Sequence, residues 1–221
     1  MKLAIQISGE FRQLQASLET LKTYVFLTFP ATEIDFFVHT WRKEGDEGHG
    51  AGLAAFKPRA YFLESYDDRI DLHALPRAYS MFYSIQRAND ARKEYEKAME
   101  IKYDLVMRYR TDCIFRENVF DTIKDILKQK KLFLCIPKPK QLETFDGPVE
   151  SESEGLCDWF AIGSPELMDV YCRIYETFHK EGLPIVPETM LAFQLQMYGI
   201  PQQGFLKRPV LDYFLLRSNR V

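Results

Sequence analysis

The stretch from Tyr103 to Phe115 constrains the fold more than any other part of this chain. It begins as an apolar run, contains no Gly or Pro, and ends with two arginines and an aspartate among its last residues. Its aliphatic and aromatic residues predict a strand in the middle of a sheet. Because side chains alternate along a strand, Arg108, Arg110 and Asp112 are expected on one face.

Two guanidiniums and a carboxylate are costly to bury without partners. We therefore expect them at the C-terminal end of the strand, where open α/β sheets bind their ligands. A carboxylate there can hold a divalent cation, and neighbouring arginines can hold phosphate. An internal Arg–Asp salt bridge that simply ends the strand explains the same spacing equally well.

Size and charge narrow the classes of function. A chain of 221 residues fits one large α/β domain, spanning 1–221, and could belong to a longer multidomain protein. With 29 Lys and Arg against 32 Asp and Glu, a nucleic-acid-coating protein is not expected. No run approaches the roughly 20 apolar residues of a membrane span, and no signal-peptide core is present, which predicts a cytoplasmic protein. The four cysteines lack metal-site spacing and are expected as free thiols.

Hydrophobic periodicity predicts the other elements. We expect strands at 2–8, 33–38, 59–65, 131–136, 157–164 and 205–206, and helices at about 10–27, 78–99, 120–129, 165–179 and 187–198. Segment 42–52 is expected as a mobile loop and segment 141–155 as a lid or acceptor loop. Arg92 is expected at the margin of its helix's apolar stripe, with its charge reaching water.

Polar residues follow several predicted strands and suggest a ligand pocket. Gly9 after the first strand could present backbone N–H groups to a phosphate, although a lone glycine is more often a turn. The dinucleotide and P-loop glycine patterns are absent. His39 ends the second strand beside Trp41, as a pocket residue or as a buried cap. On the long helix, one face carries candidates for nucleotide contact, or a solvated flank: Ser80, Tyr83, Ser84 and Arg87.

Five short motifs occur in order along the chain. They are Ile7-Ser8-Gly9-Glu10-Phe11-Arg12, Phe36-Phe37-Val38-His39-Thr40-Trp41, Ser80-Met81-Phe82-Tyr83-Ser84-Ile85, Tyr103 to Asp112, and Asp158-Trp159-Phe160-Ala161-Ile162-Gly163-Ser164. Together they resemble the short GT-A-type glycosyltransferases of bacterial surface-polysaccharide clusters and of large DNA viruses such as chlorella viruses. The resemblance covers about residues 1 to 200.

The resemblance implies an α/β fold, Rossmann-like, with a mixed and mostly parallel sheet flanked by helices. It also implies a nucleotide-sugar donor, expected to be UDP-linked, a glycan hydroxyl as acceptor, and Mn2+ (or Mg2+) on an Asp-x-Asp motif. The matching tripeptide here is Arg110-Thr111-Asp112, so Asp112 would be the one motif ligand for the metal. Arg110 could take some of the phosphate charge directly.

The same resemblance assigns roles to other residues. Glu188, at the start of a late helix, or Asp158 would orient or deprotonate the acceptor. The expected donor-binding residues are Ser8, Gly9, Arg12, His39, Arg87, Arg110, Lys207 and Arg208.

Parts of the sequence are also compatible with functions other than a transferase. Because half of the metal motif is missing, the alternative is a catalytically silent nucleotide-sugar-binding or scaffold domain with the same fold. A nucleotidyltransferase ranks last, since its Gly-rich first loop with a basic signature is absent. No Gly-x-Ser-x-Gly elbow supports a hydrolase.

Overall fold

The computed structural model describes residues 1–26, 33–42, 48–115, 160–179 and 187–200, with Gly45, Asp158 and short strands at 132–135, 143–144, 147–148, 205–208 and 213–215. The predicted helix at 120–129 and most of the predicted lid at 141–155 lie outside these residues. None of the helices within the described ranges combines the length and the apolar character that crossing a membrane requires.

A seven-stranded mixed sheet forms the centre of the fold. Numbered in chain order, the strands are β1 (Lys2–Ser8), β2 (Glu33–Arg42), β3 (Ala60–Ser65), β4 (Leu105–Tyr109), β5 (Cys113–Phe115), β6 (Leu132–Cys135), β7 (Glu143–Thr144), β8 (Gly147–Pro148), β9 (Phe160–Gly163), β10 (Phe205–Arg208) and β11 (Tyr213–Leu215). The sheet order is β10-β6-β9-β4-β1-β2-β3, and the short pairs β5–β11 and β7–β8 lie outside it. Its neighbours are parallel except that β9 runs antiparallel to both β4 and β6.

Helices cover both faces of this sheet. They are α1 (Leu14–Leu21), continued by a π-helical turn at Lys22–Phe26, α2 (Gly48–Phe56), α3 (Ile70–His73), α4 (Arg77–Met99), α5 (Pro165–Cys172), α6 (Ile174–Phe178) and α7 (Pro187–Met197). The alternation of strand side chains produces two cores. Leu105, Met107 and Tyr109 of β4 join the core beneath α1 and α2, whereas Val106 joins the core with α4 to α7. The predicted fold class, a mixed and mostly parallel sheet flanked by helices, is confirmed.

The predicted central strand ends earlier than its β propensity indicates. β4 stops at Tyr109, and Arg110, Thr111 and Asp112 form the turn that leads to β5. Hydrogen bonds hold this turn against the segment after β1: the Arg12 backbone N–H donates to Thr111 Oγ1 at 2.8 Å, and Thr111 Oγ1 donates to the Glu10 carbonyl at 3.3 Å. The turn is therefore determined by a contact between residues about a hundred positions apart.

Three other element boundaries differ from the predicted ones. The helix after β1 begins only at Leu14, because Gln13 has a left-handed backbone (φ 48) that a helix cannot include. The predicted helix at 165–179 is interrupted at Arg173 and forms α5 and α6. The prediction of a loop is wrong for residues 48–52, which are helical in α2. They are held there because Phe11 and Phe36 pack on Phe56 of the same helix.

Gly52 of α2 leaves the space that the Phe11 ring occupies. A Cβ added at Gly52 would lie 2.2 Å from Cδ2 of Phe11, whose ring stacks on Phe56 at a centroid distance of 5.8 Å. We expect Gly52→Ala to displace this ring and to lower the free energy of unfolding by about 1–3 kcal/mol, measured by urea denaturation. Gly50→Ala is the matched control, because its Cβ would meet nothing within 4 Å. Equal stability of the two variants would contradict the prediction.

Candidate functional site

A cavity of about 490 Å³ lies at the carboxyl edge of the central strands. The parallel strands β4, β1 and β2 are neighbours, so their C-terminal ends meet at this edge. One wall consists of residues that follow β1 and β4: Gly9, Glu10, Arg12, Arg110, Thr111 and Asp112. The other wall is formed by the end of β2, the residue after β3 and the start of α4, with Trp41, Tyr66, Arg77, Ser80, Met81 and Ser84.

The charged side chains of the cavity favour an anionic ligand. Among the described residues, four arginines (Arg12, Arg77, Arg108 and Arg110) and two acids (Glu10 and Asp112) line it, which gives this part of the lining a formal charge of +2. A concave surface of one sign raises the local concentration of ligands of the opposite charge. Sugar diphosphates and nucleotides are such ligands.

Asp112 lies in this cavity with its carboxylate engaged by arginines. It is 4% exposed, and Arg110 donates to both of its oxygens, from Nε at 3.0 Å and from Nη2 at 2.8 Å. Arg12 Nη1 lies 3.5 Å from the same carboxylate. The Arg–Asp salt bridge considered from the sequence is therefore present, and it lines an open cavity.

The oxygens around Asp112 do not fit the divalent cation that the family resemblance implies. Mg2+ and Mn2+ favour several oxygen ligands, usually carboxylates, water and phosphate. Across the described part of the chain, no three Asp, Glu, His or Cys side chains converge so that they could hold a metal ion. Asp112 faces two guanidiniums, which would be placed beside the cation as like charges.

Arg108 is a deeply buried arginine that lines the cavity. It is 1% exposed, and its Nε and Nη1 have no hydrogen-bond partner among the described residues. The hydroxyls of Ser8 and Ser84, which also line the cavity, are likewise unpartnered within the described ranges. Buried polar groups are normally paired, so such a cluster indicates a place where a ligand completes the hydrogen bonding.

The second wall offers aromatic surface. Trp41 and Tyr66 meet edge to face with ring centroids 5.3 Å apart, and both line the cavity. Ser80 and Ser84, which the sequence suggests as candidates for nucleotide contact, both line the cavity. Tyr83 and Arg87 lie outside the lining, because both donate hydrogen bonds to Glu64, at 2.7 and 2.9 Å.

His39 is placed behind the cavity wall. It is fully buried, and its ring meets Trp41 at a centroid distance of 4.6 Å. Neither ring nitrogen has a hydrogen-bond partner among the described residues. Burial lowers the pKa of His39 to about 3, with the charges of Arg87 and Arg69 adding to the effect and Glu64 opposing it. A neutral His39 can support Trp41, but it does not line the space that a donor would occupy.

The lowered pKa of His39 predicts a loss of stability in acid. Between about pH 6.5 and pH 3 the unfolded chain binds a proton at this position and the folded chain does not. The free energy of unfolding should therefore fall by at most about 1.4 kcal/mol per pH unit as the pH drops through this range. His39→Leu should remove this slope, measured as the difference between wild type and variant in denaturation at pH 4 to 7. His73→Leu, at an exposed position, should retain it.

Asp158 lies close to the arginines of the cavity. The antiparallel register pairs Phe160 with Tyr109, so Asp158, two residues earlier, reaches the end of β4. It is 5% exposed, and burial raises its pKa, while the charges of Arg110 and Arg108 act in the opposite direction. It does not itself line the cavity.

The late candidates are placed only by their backbone. Glu188 lies in the first turn of α7, which packs on α5 and α6, and its side chain is outside the described residues. Lys207 and Arg208 end β10, where Arg208 pairs with Cys135 of β6. The sheet order puts β10 three strands from β4, or about 14 Å at the usual strand spacing.

The structure brings together Ser8, Gly9, Arg12, Arg110 and Asp112, all of which were predicted as site residues. The cavity lining also includes residues outside the predicted donor set, among them Arg108, Tyr66 and Arg77. Arg108 lines the cavity together with Arg110 and Asp112, as strand alternation predicts. Arg77 lines the cavity because α4 begins there; the sequence predicts the start of this helix within one residue, but not that it lies beside the ends of β1 and β4.

Comparisons with known proteins find similarity at the level of structure. No protein-family model and no curated protein matches the chain. An active-site mutant of LgtC matches with 14% identity, a TM-score of 0.46, and coverage of 93% of this chain and 71% of the other. The galactosyltransferase LgtC in complex with donor and acceptor sugar analogues matches at 13% identity and TM-score 0.42, covering 93% and 72%. A glycosyltransferase involved in glycosylation of the major capsid of PBCV-1 matches at 8% identity and TM-score 0.47, covering 94% and 81%.

Proposed function

We propose that this chain is a glycosyltransferase that moves a sugar from a nucleotide-sugar donor, UDP-linked, to a hydroxyl of a glycan acceptor. The observation that carries the proposal is a cavity whose described lining residues combine a formal charge of +2, buried donors that find no hydrogen-bond partner in the described ranges, and an aromatic wall. A nucleotide sugar needs all three, because it joins an anionic diphosphate to a base and to a sugar ring.

Different parts of the cavity suit the different parts of such a donor. The arginine-rich wall suits the diphosphate, and Trp41 and Tyr66 suit the face of a base or sugar ring. Ser80 and Ser84 offer hydroxyls on the same side for the polar edge of that ring. In the transfer step, negative charge grows on the leaving nucleoside diphosphate, and positive groups held ready at that point lower the barrier.

A carboxylate is needed if the acceptor hydroxyl loses its proton to the protein. Asp158 is the candidate that lies beside the cavity, and its raised pKa makes it a stronger base than an ordinary aspartate. Glu188 remains the second candidate for the same role. A divalent cation would supply the charge offset on the diphosphate that the arginines can also supply, and the proposed reaction does not depend on it.

Thermal-shift and turnover measurements with a panel of nucleotide sugars test the proposal. UDP-sugars are expected to raise the melting temperature of the protein, and one of them should be turned over with release of UDP. Arg110→Gln should reduce both effects. Arg59→Gln is the matched control, because Arg59 is an exposed arginine that pairs with Asp35 at the opposite end of the sheet. If no nucleotide sugar changes the melting temperature or is turned over, the proposal fails.

The same panel distinguishes the silent-domain alternative. Such a domain would be stabilised by nucleotide sugars but would release no UDP, with or without oligosaccharide acceptors. We favour a transferase because the buried Asp158 adds a reactive carboxylate next to the arginines, which mere binding of a diphosphate does not need.

A further inference from the structure

We infer that this cavity binds the diphosphate of its donor directly on guanidinium groups, with Arg108 as a principal ligand and without a divalent cation. In this arrangement Asp112 is a positioning residue, which holds Arg110 and Arg12 toward the ligand. The inference rests on the proposed function and specifies how the donor is recognised.

The first argument for this inference is the burial of the charged Arg108 side chain. A guanidinium stays charged at any physiological pH, and burying that charge without compensation is costly. Arg108 is almost completely buried, yet two of its nitrogens have no hydrogen-bond partner among the described residues. A phosphate oxygen in the cavity would supply the missing acceptor and would add a counter-charge to that of Asp158, which interacts electrostatically with Arg108. The hydroxyls of Ser8 and Ser84, which have no hydrogen-bond partner among the described residues, offer further donors to the same ligand.

The second argument is that the Asp112 carboxylate already contacts two arginines. Its two oxygens accept from Nε and Nη2 of Arg110, and Arg12 lies 3.5 Å away. A two-point contact of this kind fixes the plane of a guanidinium. A divalent cation on the same oxygens would displace Arg110 and would lie close to two positive groups. The carboxylate is thus better matched to orienting arginines than to coordinating a metal.

The charge of the cavity agrees with this assignment. Four arginines against two acids leave a formal charge of +2. The diphosphate of a nucleotide sugar carries one negative charge on each phosphate, as nucleic-acid phosphates do. The donor would therefore be neutralised by the chain's own side chains.

Isothermal titration of the full chain with UDP, in EDTA and in MnCl2, tests the inference. We expect the Kd for UDP to differ by less than about threefold between the two buffers. Arg108→Gln should weaken UDP binding by about tenfold or more in EDTA, since a charge-assisted hydrogen bond is lost. Asp112→Asn should weaken UDP binding in EDTA by less than Arg108→Gln does, because it removes a carboxylate that orients Arg110 and Arg12 but no phosphate ligand. Arg59→Gln should bind as the wild type does.

Two further variants keep the test decisive if Arg108→Gln does not fold. Arg108→Lys retains the positive charge, and its affinity for UDP in EDTA should lie between those of Arg108→Gln and the wild type. Arg12→Gln changes a half-exposed side chain and should weaken UDP binding in EDTA by about threefold or more.

The outcomes separate this inference from the proposed function. UDP binding that requires Mn2+ and is lost in Asp112→Asn would overturn the inference and leave a metal-dependent transferase. Unchanged affinity in a folded Arg108→Gln would also overturn it. If neither UDP nor any nucleotide sugar binds in either buffer, the proposed function fails and the inference fails with it.

Discussion

Asp158→Asn is expected to lower the rate of sugar transfer by about 10²- to 10⁴-fold while leaving the protein at least as stable at pH 7. The loss of rate follows from removing a general base. The effect on stability follows from burial, which raises the pKa of Asp158, so that the folded chain holds this proton more tightly than the unfolded chain. The stabilisation that comes from the protonated carboxyl of Asp158 is complete at pH values below its pKa in the unfolded chain. It is lost as the pH rises through the higher pKa of the folded chain. At neutral pH the ionised carboxylate therefore opposes folding, and asparagine removes that cost.

Steady-state kinetics and urea denaturation from pH 5 to pH 8 would measure both effects. Asp90→Asn is the matched control: burial also raises the pKa of Asp90, but this residue pairs with Arg87 outside the cavity. The control variant should keep its transfer rate. If Asp158→Asn loses stability and keeps its rate, Asp158 is a structural partner of the arginines, and Glu188 becomes the base to test.

Arg92→Met is expected to lower the free energy of unfolding by about 3 kcal/mol. Arg92 is 1% exposed and donates to Asn89, Glu96 and Asp169. Methionine replaces much of the side-chain volume. It leaves two carboxylates without their buried counter-charge, and removing one partner of a buried ion pair is strongly destabilising. The expected loss in the free energy of unfolding is at the lower end of the usual range for a broken buried ion pair, because both carboxylates keep some contact with water.

Chemical denaturation at pH 7 would measure this loss. Arg173→Met is the control, because the side chain of Arg173 is partly exposed (41%) and its pair with Glu176 at 3.3 Å is expected to contribute under about 1 kcal/mol. Arg92→Met combined with Asp169→Asn should lose less than the sum of the two single variants, since the second change removes a charge that the first left unpaired. A loss below about 1 kcal/mol in Arg92→Met would contradict the prediction.

Local pattern predicted most of the architecture. The apolar runs at 2–8 and 33–38 and the long helical stripe at 78–99 correspond to β1, β2 and α4 within a few residues. These elements are predictable because their apolar residues repeat with the period of the structure they form. The alternation within β4 also sent its side chains to two different cores, as expected.

Long-range contacts decided what local pattern could not. Arg92 was expected to extend its charge to water, and that prediction is wrong, because Asp169 on α5 pairs with it in the interior. Arg87 was expected in the donor site, but Glu64 at the end of β3 holds it outside the cavity lining. In both cases the partner comes from a distant part of the chain, and a charged side chain takes the direction in which its counter-charge lies.

The sequence by itself determined the class of fold, the position of the central strand, and the presence of arginines and an acid where that strand ends. These follow from periodicity and alternation, which are properties of neighbouring residues. Only the tertiary structure decided that Asp112 faces Arg110 and Arg12, and that Arg108 is buried in the cavity with nitrogens left unpartnered by the described residues. Those facts depend on which strand ends and helix starts meet at one edge of the sheet, because pairing and burial of charge are set by residues far apart in the chain.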